Sequence, residues 1–170
     1  QNKIKEEEKL TVMPKEFIKM ATQSAKILAL SPDENKILYQ ATGSANLSLI
    51  LISPPPATNP TSQNRELKTG NIYVYDLKED KNYLLASSIQ FPASSLSWFP
   101  TSRHLILAEK DKISIMEYDG TNQVTVYNGP LTEFLTPTAS GKKLLILPSY
   151  NRPDGQTATD SANLYSINLR

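Results

Sequence analysis

The chain has 170 residues, of which 39% are hydrophobic and 21% are charged, with a formal net charge of +1 and no cysteine. These values are typical of a soluble globular domain with a sizeable core, and they argue against disorder throughout. The charges are scattered singly, so they give no electrostatic reason to bind nucleic acid or an anionic membrane. The absence of cysteine excludes disulfides, a thiol nucleophile and thiolate metal sites.

Residues 1–25 are predicted to form an N-terminal arm that includes one strand. Residues 1–9 are rich in Lys and Glu, which is typical of a solvated arm. Leu10–Met13 follows as a short strand that Pro14 stops, and a helix through the arm is the alternative. Because the chain begins at Gln1 without a Met or a signal-peptide pattern, we expect a longer parent chain. The longest mainly apolar run, 47–52, is far below the ~20 residues that span a bilayer, so we expect no membrane insertion by this segment.

A strand–turn–strand unit then occurs three times. The first unit has its turn at Ser31–Lys36, where Pro sets φ and Asp and Asn bond the local backbone. The turn recurs at 99–103, 68 positions on, and at 138–142, a further 39 positions on. Each unit is followed by a polar residue and an apolar strand, and the first two units by one strand more. The apolar strands are 71–77, 112–118 and 163–169, and the additional strands are 82–86 and 123–127.

Four antiparallel strands with a period of about 40 residues are typical of a β-propeller blade. The predicted fold is therefore all-β, with three four-stranded antiparallel blades that form part of a larger closed propeller. Three blades are too few to close a ring, so the missing partner is either upstream blades or a second copy. In both cases we expect Leu10–Met13 to pair beside 163–169 as the ring-closing outer strand. The predicted blades are 26–88 with an insertion at 41–70, 89–128, and 129–170 without an outer strand of its own, and their inner strands are 26–30, 95–98 and 132–136.

The repeat also resembles a known family. The sequence Ser-Pro-Asp-Glu-Asn-Lys-Ile-Leu-Tyr at 31–39, followed by Asn-Ile-Tyr-Val-Tyr-Asp-Leu at 71–77, is similar to the TolB-like branch of WD-type propeller repeats, which read S-P-D-G-K-x-I-x-Y and then x-I-Y-x-x-D. The resemblance covers 26–170, although Glu34 and Asn35 stand where the family has Gly. It implies a propeller fold and a periplasmic or cell-surface location, with an upstream membrane segment as a possible tether.

The connections between the second and third strands of a blade are long in the first and third units. In a propeller these connections emerge on one face, so both are expected to flank the same entrance, and long loops are more often functional than short ones. The predicted binding residues on this face are Arg65, Glu66, Tyr150, Arg152 and Asp154. Within the first connection, the polar stretch 57–64 is predicted to be mobile, because it has too little apolar surface to offset the ordering entropy.

No motif predicts catalysis, a metal site or a cofactor. The only histidine, His104, begins a strand on the opposite face, and no G-x-S-x-G elbow exists to support a catalytic triad. Asp154 and Asp160 lack the ligand spacing of an EF-hand loop, so a plain turn is expected there. Glu79-Asp80 and Asp119-Gly120 are interpreted as ordinary turn residues.

The composition and the resemblance together predict a non-enzymatic module that binds a protein, a peptide or a cell-envelope polymer through its loop face. The alternative is the gating or substrate-selecting propeller of a larger hydrolase similar to prolyl oligopeptidase. A third interpretation, catalysis in the entrance of the propeller itself, would need charged clusters on the loops, and only Arg65-Glu66, Arg152 and Asp154 qualify.

Overall fold

The structure is a computed structural model that describes residues 13–51, 53, 55–56, 58–87, 92–148 and 164–169. The chain divides into two compact units, Gln1–Ala93 and Ser94–Arg170. The described residues are mostly β, arranged in antiparallel sheets, and no sheet closes on itself. In the part of the chain that the structure describes, no helix has the length and apolar character needed to cross a membrane.

The first unit contains a four-stranded antiparallel sheet formed by β1 Ala25–Leu30, β2 Lys36–Ala41, β5 Ile72–Asp76 and β6 Lys81–Ala86, which lie side by side in that order. The side chains of Ile37 and Tyr39 on β2 and of Tyr73 and Tyr75 on β5 share one face, because Tyr39 lies opposite Tyr73 and Ile37 opposite Tyr75. All four are fully buried.

A helix, α1 (Lys15–Ser24), covers part of this face, where a helix was predicted only as the alternative for the N-terminal arm. It starts directly after Pro14, and Phe17, Met20 and Ala21 form its buried side at helical spacing. The Phe17 ring stacks on Tyr75 with centroids 4.7 Å apart and meets Tyr39 edge-on at 5.6 Å. The helix is therefore part of the core of the first unit.

The insertion between β2 and β5 covers the rest of the face. Its short strands β3 (Ala45–Asn46) and β4 (Glu66–Leu67) pair with each other, and Leu47 and Leu67 join the same buried cluster as Phe17. Because three blades are too few to close a ring, a neighbour from outside them was expected to cover this flank of the first sheet. The helix and the insertion, both from the same chain, bury that flank across β2 and β5.

The second unit contains two antiparallel sheets, one of four strands and one of three. Between them lies a core formed by Phe99, Ile106 and Ile113 with Leu144 and Ile146. A 3-10 turn at Ala93–Ser95 leads into the first of these sheets. The four-stranded sheet comprises β7 Leu96–Trp98, β8 His104–Glu109, β9 Lys112–Glu117 and β10 Val124–Asn128, and the three-stranded sheet comprises β11 Leu131–Pro137, β12 Lys143–Pro148 and β13 Tyr165–Asn168.

The predicted strands of all three repeats are present and antiparallel, with ends that shift by one or two residues. The prediction of three four-stranded sheets is correct for the first two, while the third has three described strands, as expected for a blade that lacks its outer strand. Leu10–Val12 lie outside the described residues. Met13 is not in a strand, and its side chain is buried in the cluster that contains Phe17.

The three first turns have the same backbone hydrogen bonds, which confirms the predicted repeat alignment. The N–H groups of Ser31, Phe99 and Thr138 donate to the carbonyls of Lys36, His104 and Lys143 at 2.9 Å. The fourth residue of each turn has a positive φ, at Glu34 (58°), Ser102 (60°) and Gly141 (66°). Only glycine adopts this conformation without steric cost, so two of the three turns are strained.

The outer face of the third sheet carries a row of apolar side chains. Leu135 lies opposite Ile146 and faces the second sheet, so its neighbour Phe134 points the other way, as Leu147 does. Extending the pairing of Tyr165 with Ile146 by one residue places Leu164 beside Leu147. Phe134 is 45% exposed and Leu164 is 58% exposed.

Candidate functional site

Two of the five predicted binding residues, Arg65 and Glu66, lie in the described part of the insertion. Tyr150, Arg152 and Asp154 lie outside the described residues, as does Asp160. Glu66 is exposed in β4, whereas Arg65 is directed back into its own unit, with 16% of its side chain exposed. The grouping of the five residues stays a prediction, and the insertion is the part of the predicted site that the structure describes.

The Arg65 guanidinium joins the insertion to the turn after β5. Its Nη2 lies 2.9 Å from the Asp80 carboxylate and also donates to the Asp80 backbone carbonyl. Its Nη1 donates to the carbonyl of Ser48 at 2.8 Å. These contacts use the fork of donors that distinguishes Arg from Lys, and they give Arg65 a structural role within the insertion.

The Asp80 carboxylate accepts hydrogen bonds from the first half of the insertion. One carboxylate oxygen accepts from the N–H groups of Ile50 (2.6 Å) and Leu51 (2.8 Å), and the other from the Tyr75 hydroxyl at 2.7 Å. Burial by itself would raise the pKa of Asp80, but the hydrogen bonds from Leu51, Tyr75, Arg65 and Ile50 outweigh burial and lower it. Asp80 therefore does more than the turn chemistry that its sequence context predicts.

The second half of the insertion, which includes residues 59 and 64, is also held by polar contacts. The N–H of Asn59 donates to the Glu79 carboxylate, at 3.0 Å to its nearer oxygen, and the Lys81 ammonium donates to the Asn59 carbonyl. Further on, Asn64 and Asn82 exchange two hydrogen bonds of 2.7 Å. The stretch 57–64 was predicted to be mobile because it lacks apolar residues. In the structure Asn59 and Asn64 form hydrogen bonds with the turn after β5 and with β6, and the mobility of the stretch stays a prediction.

The tyrosines beneath the insertion belong to the structural network. The Tyr39 hydroxyl donates to Asn82 at 2.8 Å, and burial raises the pKa of Tyr39 well above its usual range. Burial, with the adjacent Asp80 carboxylate, raises the pKa of Tyr75 in the same direction. Both phenols therefore stay protonated at neutral pH, and neither is suited to act as a base.

At residues 49–51, the insertion exposes apolar side chains from a backbone that hydrogen bonds to Asp80 hold in place. Leu49 is 69% exposed and Leu51 is 37% exposed, while Ile50 between them packs against the core of the unit. The nearby Pro55 and Pro56 are exposed as well. Sequence reasoning assigned this stretch to the insertion but did not single out its leucines, because the sequence does not show which apolar residues stay outside.

In the second unit, His104 is partly buried, and its Nδ1 lies 3.3 Å from the Thr101 hydroxyl. Across the described residues of the whole chain, no group of three or more His, Asp or Glu side chains is arranged to hold a metal ion. Comparison with protein-family models and with curated proteins finds no match to this chain. The resemblance to TolB-like repeats thus rests on the motifs at 31–39 and 71–77.

Proposed function

We propose that the three sheets are consecutive blades of a TolB-like β-propeller, and that the chain is a non-enzymatic module that binds a partner protein through its insertion. The repeat of strand order and of first-turn hydrogen bonding in all three units supports the blade assignment. A location outside the cytoplasm, which the resemblance implies, belongs to the same proposal.

The observation that carries the binding proposal is the combination of a fixed backbone with exposed leucines at 49 and 51. An apolar side chain that packs inward lowers the free energy of its own domain, whereas Leu49 leaves most of its surface in water. Exposed apolar patches on an ordered surface are typical of protein interaction sites. Because Asp80 already fixes the N–H groups of Ile50 and Leu51, little ordering entropy remains to oppose binding.

The chemistry of the patch favours a protein over a polysaccharide. Leucine side chains bind apolar surface, and the nearby Pro55 and Pro56 are exposed as well. Carbohydrate sites combine several polar groups with aromatic faces, whereas the described residues 47–51 contain no aromatic residue and one polar side chain, Ser48. A partner protein with a hydrophobic pocket therefore fits this surface best.

The partner can be identified by placing a photo-crosslinking amino acid at position 49 and irradiating the protein in an extract of its native host. The affinity of the captured, purified partner is then measured by titration against the wild type and against Leu49→Ser/Leu51→Ser. We expect the double variant to bind at least tenfold more weakly, because two interface leucines lose their apolar contact.

Leu84→Ser is the matched control, since Leu84 is 39% exposed on β6 of the same unit. It should bind the partner with wild-type affinity, and circular dichroism should show that all variants keep their strands. Equal losses in Leu84→Ser and in the double variant, or binding that neither change affects, would contradict the proposal.

A further inference from the structure

A second surface, independent of the insertion, is a groove at one end of the core between the two sheets of the second unit. Its volume is about 460 Å³, within the range of roughly 300–1,000 Å³ found for small-molecule sites. The second sheet contributes Ile115 and Val126 to its walls, and the third sheet contributes Ile167 and Leu169.

The polar end of the groove is built by one pair of residues across β8 and β9. His104 lies directly opposite Glu117, so both side chains are on the same face as Ile115, which is two residues from Glu117. The Glu117 carboxylate accepts from the Asn122 amide at 2.7 Å. Among the described residues that line the groove, Glu117 alone carries a formal charge, and it places a negative charge at this end.

The apolar end remains accessible to a ligand. Val124, which pairs with Ile115, is 60% exposed although it is β-branched and lies in a strand. Ile167 on β13 and Leu169 just after it are only partly buried on the opposite wall. A ligand body placed here would cover apolar surface that the protein leaves in contact with water.

From this combination we propose that the groove binds a small primary amine with an aliphatic body. The ammonium group carries three donors and a positive charge, and it would sit between the Glu117 carboxylate and the amide oxygen of Asn122. The alkyl body would lie along Ile115, Val124 and Ile167. A carboxylate head is disfavoured because it would face Glu117 in a partly desolvated position.

The test is a titration of the isotopically labelled 170-residue chain with three six-carbon probes, followed by nuclear magnetic resonance. n-Hexylamine, n-hexanol and hexanoate share the same body and differ in the charge of the head. We expect the amine to shift the amide signals of Ile115, Glu117 and Ile167 in a saturable way. The alcohol should bind about fivefold more weakly, as expected for the loss of a partly exposed ion pair, and hexanoate weakest.

Glu117→Gln should bind n-hexylamine and n-hexanol with nearly equal affinity. An unchanged spectrum of the rest of the chain would show that this variant keeps the fold. The control is Glu109→Gln at the other end of the same hairpin, where Glu109 pairs with Lys112 at 2.8 Å. This variant should retain the preference for the amine. Equal affinity of the wild type for amine and alcohol, a preference that survives in Glu117→Gln, or shifts confined to other parts of the chain would overturn the proposal.

Discussion

The first and third sheets have the same strand order and the same first turn, yet they differ in what covers one of their faces. On the first sheet, α1 and the insertion bury the face formed by Tyr39, Tyr73 and Tyr75. On the third sheet, Phe134 and Leu164 remain exposed on the face opposite the core. Arrays of repeats need caps because a terminal repeat otherwise exposes apolar surface. The first sheet thus carries a cap made by its own chain.

The largest effect should come from removing the centre of this cap. Phe17→Ala deletes a fully buried ring that contacts Tyr39 and Tyr75, and we expect the free energy of unfolding to fall by about 4 kcal/mol. Phe134→Ala on the third sheet should cost below about 1 kcal/mol, since its ring is half-exposed. Urea unfolding followed by circular dichroism measures both, and similar losses would show that the two faces are equally covered.

The second prediction concerns the polar anchor of the insertion. Asp80→Asn keeps a residue that tolerates the φ of 50° at this position, but it removes the charge opposite Arg65 and one of the acceptor oxygens. We expect a loss of about 3 kcal/mol at pH 7, as for breaking a largely buried ion pair.

This loss should depend on pH with a defined sign. The folded-state pKa of Asp80 is lowered, so its ionised form stabilises the fold above the ordinary Asp pKa of about 3.9, and that contribution disappears as the pH falls through the lower folded value. The stability difference between wild type and Asp80→Asn should therefore be constant near neutrality and shrink below about pH 4. A difference that grows on acidification would show that Asp80 is not the ionised anchor.

Substitutions in the equivalent first turns of the first and third sheets should change stability by smaller amounts and with opposite signs. Glu34→Gly in the first sheet should stabilise the protein by about 0.5–1 kcal/mol, because it relieves a left-handed backbone at a position where the side chain is exposed. Gly141→Ala in the third sheet should destabilise by about 1–2 kcal/mol, since the conformation is strained for Ala and the added Cβ would lie 3.0 Å from the Phe99 ring. Thermal unfolding of both variants checks the signs, and a stabilising Gly141→Ala would refute the alignment of the turns.

Substitutions on the exposed outer face of the third sheet should have the smallest effect on folding and a measurable effect on assembly. We expect the chain to associate at micromolar concentration through the third sheet, because Phe134 and Leu164 expose apolar surface among the described residues. Phe134→Ser/Leu164→Ser should shift light scattering towards the monomer with little change in unfolding. A wild-type chain that is monodisperse and monomeric would show that this face needs no neighbour.

The sequence by itself determined the strands, their antiparallel order and the alignment of the three turns. These features depend on local signals: alternating or continuous apolar runs, and Pro, Asp and Gly at fixed positions in a turn. The helix Lys15–Ser24 could also have been preferred from the sequence, since Phe17, Met20 and Ala21 follow helical spacing after Pro14. The prediction for this region relied instead on the strand pattern of the repeats.

Tertiary structure alone decided the roles of the insertion and its partners. The sequence indicated a surface role for Arg65 and a turn role for Asp80. Charged residues are common in loops and turns, so neither position showed that the two side chains are in contact. Their contact depends on the path of the 30 residues from Ala41 to Gly70, which brings Arg65 back against the turn after β5. That path is fixed by burial of Leu47 and Leu67 against the tyrosine face, an interaction between distant parts of the chain that no local pattern encodes.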